Sequence, residues 1–283
     1  MKLSETDHQL LKLHYAWPAP FPKLADLLIA KCTPEKIPNS SNKQPKNLNE
    51  KLAQLSPIPL LDLLLKEGII PIPFTHPHYP DQLKELIDPP AVLYTKGDYT
   101  LLKKVNKIAI IGSRKASSYS SRAMKRIVPP LIEHEMVIVS GLAKGADTMA
   151  HQAALEYGGK TIAVLGSGFF HVYPKENMRL ASIIAEDHLL LSEFPPYHPP
   201  AKWTFPMRNR IISGLSDALV ITESVIKSGT MSTIEHALDH GKEVFAVPGP
   251  IDSELSLGPN RLLDEGARPI WSGFQIVEIL VEH

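Results

Sequence analysis

Apolar residues change their rhythm once along this chain, near residue 107, and the change divides it. Up to about residue 67 they recur at helical spacing in short runs cut by proline. Leu10, Leu11 and Tyr15 follow Ser4 and Asp7, a pair that resembles a capping box with Asp in place of the usual Glu, and Pro18 and Pro20 then stop the helix. Further helices fit residues 23–31, 48–55 and 60–67. Between the first two of these lies a polar stretch, 33–47, with Pro34, Pro38 and Pro45 among serines and asparagines, which reads as a loop or flexible insertion. Four small helices could form a DNA-binding helix-hairpin-helix relative or a packing module; lacking hairpin glycines, packing is the plainer reading.

Residues 68–106 read as a connecting segment, with short strands at 69–72 and 92–95 and a helix over 81–87. From Lys107 onward, apolar runs alternate with amphipathic helices, the pattern of an α/β fold built on a doubly wound parallel sheet. Strands are expected at 108–111, 136–139, 161–165, 189–191, 218–221 and 244–247. The helices between them fit 119–133, 146–157, 176–186, 208–215 and 230–240. A last strand near 269–271 and a helix over 274–281 close the domain, with Ile276, Ile279 and Leu280 packing inward by default, or onto a second copy of the chain. The organisation expected is thus a helical module, 1–67, a connecting segment, 68–106, and an α/β domain, 107–283, on which the connecting segment packs.

The run Ile108–Ile111 has no polar interruption, so it suits a strand buried on both faces. It ends at Gly112, where backbone can approach a ligand, and hands over to the hydroxyl of Ser113 and the planar donors of Arg114. In open α/β sheets that strand end is where ligands bind. Glycines recur at other strand ends, as in Ser140-Gly141, Gly166-Ser167-Gly168 and Ser228-Gly229-Thr230. Each alone is ordinary punctuation; their convergence on one edge is the stronger signal. Cations fall downstream in Tyr-Pro-Lys175 and in Arg208-Asn209-Arg210, the latter at an expected helix start that would disfavour positive charge unless an anion, or an ion pair with Glu223 or Glu235, answered it. The reading is an anion site for nucleic-acid phosphates.

Charge sharpens this picture. The chain has 30 basic and 30 acidic residues, so no global field draws it to a polyanion and any affinity must be local. Such a cluster exists: Lys103, Lys104, Lys107, Arg114, Lys115, Arg122, Lys125 and Arg126 fall in a stretch without carboxylates. The single Cys32 allows no internal disulfide, no apolar run is long enough to span a bilayer, and the amino end lacks a signal-peptide core, so a cytoplasmic protein is expected. Neither metal-ligand spacing nor a serine elbow or phosphate-binding loop is present, and Asp147 with His151, four apart, fits a buried helix pair better than acid-base chemistry.

Taken together, the segment Ile108 to Arg114, Ser140-Gly141-Leu142-Ala143 with Gly145, Asp147 and His151, Thr161 to Gly166, Tyr173-Pro174 with Asn177, Ser192-Glu193, Phe205-Pro206 with Arg208 to Ile212, Ser228-Gly229-Thr230 and Phe245 to Gly249 resemble the DNA-processing protein A family (DprA/Smf). The resemblance runs from about residue 79 to 267. It implies an extended Rossmann-like, mostly parallel doubly wound sheet preceded by a small helical SAM-like domain. It further implies a non-enzymatic role in natural transformation: binding and protecting incoming single-stranded DNA, helping to displace single-strand binding protein, and loading the RecA recombinase, as a homodimer without membrane insertion or cofactor. The family's strand pocket implies roles here for Arg114 and Lys175. The DNA-binding set expected is Gly112, Ser113, Arg114, Gly166, Gly168, Lys175, Asn177, Met178, Arg208, Asn209 and Arg210, with Phe169 and Phe170 the nearest aromatics. Many relatives carry a winged-helix domain; the chain ends at His283, too soon for one.

A competing reading is an enzyme. Residues 228–236 are similar to the PGGxGTxxE motif of nucleoside-monophosphate phosphoribohydrolases, but the motif's glutamate falls on His236 and two glycines become Thr230 and Ser232. These departures strike the groups that cradle phosphate and promote cleavage. A pure interaction scaffold is disfavoured by the cations gathered at strand ends.

Overall fold

The structure is a computed structural model and describes residues 2–29, 45–104, 106–226 and 228–281. Cys32 and most of the polar stretch 33–47 lie outside the described residues. Four helices open the chain, α1 (Glu5–Ala16), α2 (Phe21–Ile29), α3 (Leu48–Leu55) and α4 (Leu60–Lys66). The capping box at the first is present: the Ser4 hydroxyl accepts from the Asp7 amide at 3.1 Å while the Asp7 carboxylate accepts from the Ser4 amide at 2.9 Å. Then come β1 (Ile70–Pro73), α5 (Asp81–Lys84), β2 (Val92–Gly97), β3 (Lys107–Ile111), α6 (Ser118–Glu133), β4 (Val137–Ser140), α7 (Ala146–Glu156), β5 (Thr161–Leu165), α8 (Met178–Asp187) and β6 (Leu189–Ser192). The remainder comprises α9 (Thr204–Leu215), β7 (Ala218–Ile221), α10 (Thr230–Asp239), β8 (Glu243–Ala246), α11 (Leu257–Asp264), β9 (Arg268–Pro269) and α12 (Phe274–Val281).

All these strands join one sheet in the order β1-β2-β6-β5-β4-β3-β7-β8-β9. Pairing is parallel from β6 to β9 and antiparallel at β1-β2 and β2-β6, so the fold is α/β with a mostly parallel, doubly wound sheet. Segment 68–106 supplies the two antiparallel edge strands, with Tyr94 opposite Ser192. Alternate residues of β3 serve different layers. Ala109 and Ile111 pack under α9 and α10 with Ile211, Ile212, Leu215 and Ile234, whereas Ile108 and Ile110 meet α6, α7 and α12 through Met124, Ala150 and Ile276. That two-sided burial is why the run carries no polar residue. Ile276 is buried, and Ile279 and Leu280 pack partly buried on the same core. Helices α1 to α4 share a third core with Ile69, Val92 and Tyr94, which ties the helical module to the sheet edge.

Two helix expectations need correction. Helix α9 starts at Thr204, not Arg208, because Pro206 falls in its first turn, where a missing amide hydrogen costs nothing. Helix α11 was not expected at all; Gly258 and Pro259 lie in its first turn.

Candidate nucleic-acid interface

The sheet order reverses at β3, whose sequence neighbour β4 lies on one side and β7 on the other, and a crevice opens beyond the strand ends at such a point. A cavity of about 600 Å³ occupies it, bounded by the end of β3, the β3–α6 loop, α9 and the start of α10. Gly112 forms its floor. A Cβ there would lie 2.7 Å from the Ala146 Cβ and 2.8 Å from the Thr222 hydroxyl, so only glycine fits between α7 and β7.

Arg114 stands on a loop braced at several points. The Ser113 amide donates to the Glu223 carbonyl at 2.6 Å, the Ala146 amide donates to the Ser113 carbonyl at 3.1 Å, and the Lys115 amide donates to the Ser113 hydroxyl at 3.0 Å. The buried Glu223 carboxylate accepts from the Ser117 amide and hydroxyl at 2.7 and 2.8 Å and from the Ser120 hydroxyl at 2.7 Å, which fastens the loop to α6. Gly145, at φ 74°, packs against Ser113 and Arg114, and a Cβ would collide with their carbonyls. The exposed Arg114 guanidinium lies 5.6 Å from the centre of the Phe205 ring, and Phe205 in turn lies 5.7 Å from Tyr173. Among the described residues no carboxylate pairs with Arg114, Lys115, Lys175 or Lys202.

Arg208 reaches the cavity as a buried wall. Its Nη1 donates to the carbonyls of Gly141 and of Val164, the latter at 2.6 Å, and its Nε donates to the Asn209 Oδ1 at 3.1 Å. It therefore staples the ends of β4 and β5, and Gly141 must be glycine because a Cβ would strike the guanidinium. Burial pushes Arg208 below its usual value, Asp147 opposes that shift, and Arg114 adds to it. Asp147, the one carboxylate lining the cavity among the described residues, is raised by burial and lowered by Arg208 and by backbone donors. Four cations, Arg114, Lys115, Lys202 and Arg208, thus face one carboxylate already engaged, and the cavity favours an anion.

Other expected residues fall differently. Arg210 does not line the cavity: it points to the opposite side of α9, where it pairs with buried Glu193 and with Asp88 at 3.2 Å. Its expected partners, Glu223 and Glu235, are elsewhere. Residues 208 and 210 are two apart on a helix and so cannot share a face. Asn209 lines the cavity and donates to the Ser232 hydroxyl at 2.8 Å, joining α9 to α10. Asn177 is buried and donates to the Leu142 carbonyl and the Thr148 hydroxyl, each at 2.8 Å, so it holds the β4–α7 loop and is not free for a ligand. The amides of Ser113 and Gly168 are likewise spent, the latter on His198 at 2.8 Å. Gly166 instead makes room for Phe205, whose ring would lie 2.9 Å from a Cβ there. Lys175, exposed in a short 3-10 turn, follows Tyr173 by two residues but does not itself line the cavity, and Met178 is exposed one turn on. Phe169 packs into the core while Phe170 is exposed. Asp147 and His151 are both buried but bond elsewhere, His151 to the Thr161 hydroxyl at 2.7 Å. Of the basic stretch, Lys107 is buried and turned onto the Lys104 carbonyl, and only Arg114 and Lys115 line the cavity.

Lys202, Tyr173 and Phe205 line the cavity and were absent from the expected set. Lys202 stands alone after a proline pair, with no spacing to betray it; the aromatic pair was legible only as part of a motif.

The sequence model of the family described as DNA recombination-mediator protein A matches residues 71–281. The DNA processing protein DprA of Bacillus subtilis is 46% identical over 217 residues, spanning 77% of this chain and 73% of that one. The crystal structure of DNA processing protein A from Streptococcus pneumoniae superposes over the whole of both chains with a TM-score of 0.80 at 35% identity. A structure of the Helicobacter pylori protein of that name, described for its single-stranded DNA binding mode, covers 76% of this chain and 96% of its own with a TM-score of 0.68 at 32% identity. Among the described residues, no helix is long and apolar enough to cross a membrane.

Proposed function

Because the chain belongs to the DNA recombination-mediator protein A family, we propose that its switch-point cavity grips the backbone of single-stranded DNA and that the protein protects this DNA and delivers it to the RecA recombinase. The observation that carries the reading is the meeting of unpaired Arg114, Lys115 and Lys202 around the Phe205 and Tyr173 rings. Cations lining one mouth can neutralise backbone phosphates, and the flat rings beside them offer faces on which bases of any identity stack, at roughly 1 to 3 kcal/mol each. Lys175, two residues after Tyr173 and outside the cavity lining, would extend the cationic path toward α8, where exposed Met178 adds apolar surface. The single-stranded DNA binding mode described for the Helicobacter pylori relative supports the choice of ligand. Displacement of single-strand binding protein and action as a cytoplasmic homodimer belong to the same reading.

The phosphoribohydrolase alternative loses ground on geometry. Gly229, Thr230 and Ser232 line the cavity, but Glu235 is exposed and His236 is half-buried, and neither reaches it. Asp147, the carboxylate that does, is buried in the field of Arg208 and accepts from the Ala143 amide at 3.2 Å. Titrating labelled single strands and duplexes of equal length tests the proposal: single strands should bind more tightly, and equal affinity would refute a recessed site. Release of free base from purine monophosphates would overturn it in favour of the enzyme.

A further inference from the structure

A second crevice, of about 430 Å³, runs between the helical module and the other side of the first turn of α9. Trp17 and Lys23 line it from the module, Glu193 and Phe194 from the segment after β6, and Trp203 and Met207 from α9. Its polar floor is incomplete. Glu193 is only 5% exposed, and one of its oxygens, Oε2, takes the Arg210 guanidinium, which Asp88 also faces. The other, Oε1, is buried without a hydrogen-bond partner among the described residues. A buried carboxylate oxygen lacking a donor is costly, and such groups in folded proteins await a ligand or water more often than they stay empty.

The walls suit a flat ring. Trp203 is 54% exposed and stands nearly perpendicular to Phe194, with ring centres 5.7 Å apart, while Trp17 flanks the opening from the module. The crevice and the cation-lined cavity lie on either side of the first turn of α9. Lys202, Phe205 and Pro206 face that cavity, and Trp203 and Met207, their neighbours in the same turn, face this one. Lys202 and Trp203 are adjacent in the chain, so a strand that turns over this edge would pass from one to the other, and exposed Lys23 lines the same crevice as Trp203.

We propose that this crevice is a second subsite on the same strand path, taking one nucleobase between Trp17 and Trp203 whose exocyclic amino group donates to the free Oε1 of Glu193. The inference rests on the single-stranded DNA reading of the first cavity. Cytosine and adenine carry an amino group at that edge, next to a ring nitrogen; thymine presents a carbonyl oxygen there, which a carboxylate repels. Burial, helped by Asp88 and opposed by Arg210, pushes Glu193 up to about 7, and an amino group donating to Oε1 would favour the ionised carboxylate. A bound base would thus supply the one partner the carboxylate lacks, and the helical module would become part of the interface.

The chain has three tryptophans, so Trp271→Phe leaves the two crevice residues as fluorescent reporters in the full-length protein. Oligo-dC and oligo-dT from about 4 to about 20 nucleotides are titrated into it. Short strands should bind without quenching, longer ones should quench, and long oligo-dC should bind several-fold more tightly than long oligo-dT. Trp203→Ala, and separately Trp17→Ala, should weaken only the longer strands, by about 5- to 150-fold if a stacked base is lost, and erase the dC preference. Glu193→Gln tests the amino contact, and the tryptophan variants carry the test if breaking the Arg210 pair unfolds that protein. If Arg114→Ala weakens every length yet both tryptophan variants keep the wild-type length dependence, quenching and base preference, the crevice inference fails alone. If Arg114→Ala changes nothing, the parent reading fails.

Discussion

Replacing Arg114 by alanine is the sharpest perturbation the structure offers, because this side chain carries charge into the cavity without helping to hold the fold. Its guanidinium has no carboxylate partner among the described residues, and its contact with Phe205 at 5.6 Å is an exposed cation–π pair worth about 0.5 to 1 kcal/mol. The loop beneath it is fixed by main-chain atoms of Ser113 and by Glu223, none of which the substitution touches. Thermal stability should therefore change by less than about 1 kcal/mol. A charge-assisted contact to phosphate is worth about 1.5 to 3 kcal/mol, so single-strand affinity should fall about 10- to 150-fold. Salt dependence adds an independent readout. Losing one neutralised phosphate lowers the slope of log affinity against log salt by about 0.7 for a single strand. Fluorescence anisotropy with a labelled oligonucleotide across a salt series measures both quantities at once. Arg114→Lys should keep the slope and lose part of the affinity, since the charge stays and the planar fork that lies over Phe205 goes. An Arg114→Ala protein with wild-type affinity and an unchanged slope would refute the assignment of this loop to phosphate.

Lys202→Ala should weaken binding by roughly tenfold with a matching loss of salt slope, a result no motif would anticipate; unchanged binding in the same titration would remove α9's leading edge from the interface. Arg210→Ala should destabilise by about 3 to 5 kcal/mol, because Glu193 is left buried and unneutralised, and should leave short-oligonucleotide affinity of the folded protein intact; urea unfolding and anisotropy separate the two. Gly145→Ala forces a left-handed backbone and a clash with the Ser113 carbonyl, so binding should drop through displacement of Arg114, visible as faster proteolysis of the β3–α6 loop alongside weaker binding. Acidification should destabilise the protein between about pH 6.5 and about pH 5. Burial pushes both His14 and His151 down to about 3, so the unfolded chain takes up those protons first and stability is lost as pH falls. Glu193, pushed up to about 7, binds its proton first in the folded state and offsets part of that loss, and a urea midpoint that rises on acidification would contradict the balance.

Much of the architecture was readable in one dimension. Two-sided burial disfavours polar residues inside a central parallel strand, so the apolar runs of β3, β5 and β7 announced their depth and, to within a residue, their extent. The switch-point mouth followed from the alternation of strands and helices, since parallel strands put all their carboxyl ends on one edge. Proline misled where it sat in a first turn, at Pro206, because the residue looks the same whether it breaks a helix or opens one.

What the sequence determined alone was the kind of protein this is: the strand and helix rhythm, the glycines gathered at strand ends, and the presence of Arg114 at one of them. Which cations act together was decided only by the tertiary structure. Arg208 and Arg210 are two residues apart in the chain, yet one walls the cavity and the other is locked to Glu193 behind the same helix, while Lys202, with no signal of its own, reaches the mouth. The reason is that a charge is read from the chain without its partner, and a carboxylate distant in sequence can silence one arginine and spare its neighbour.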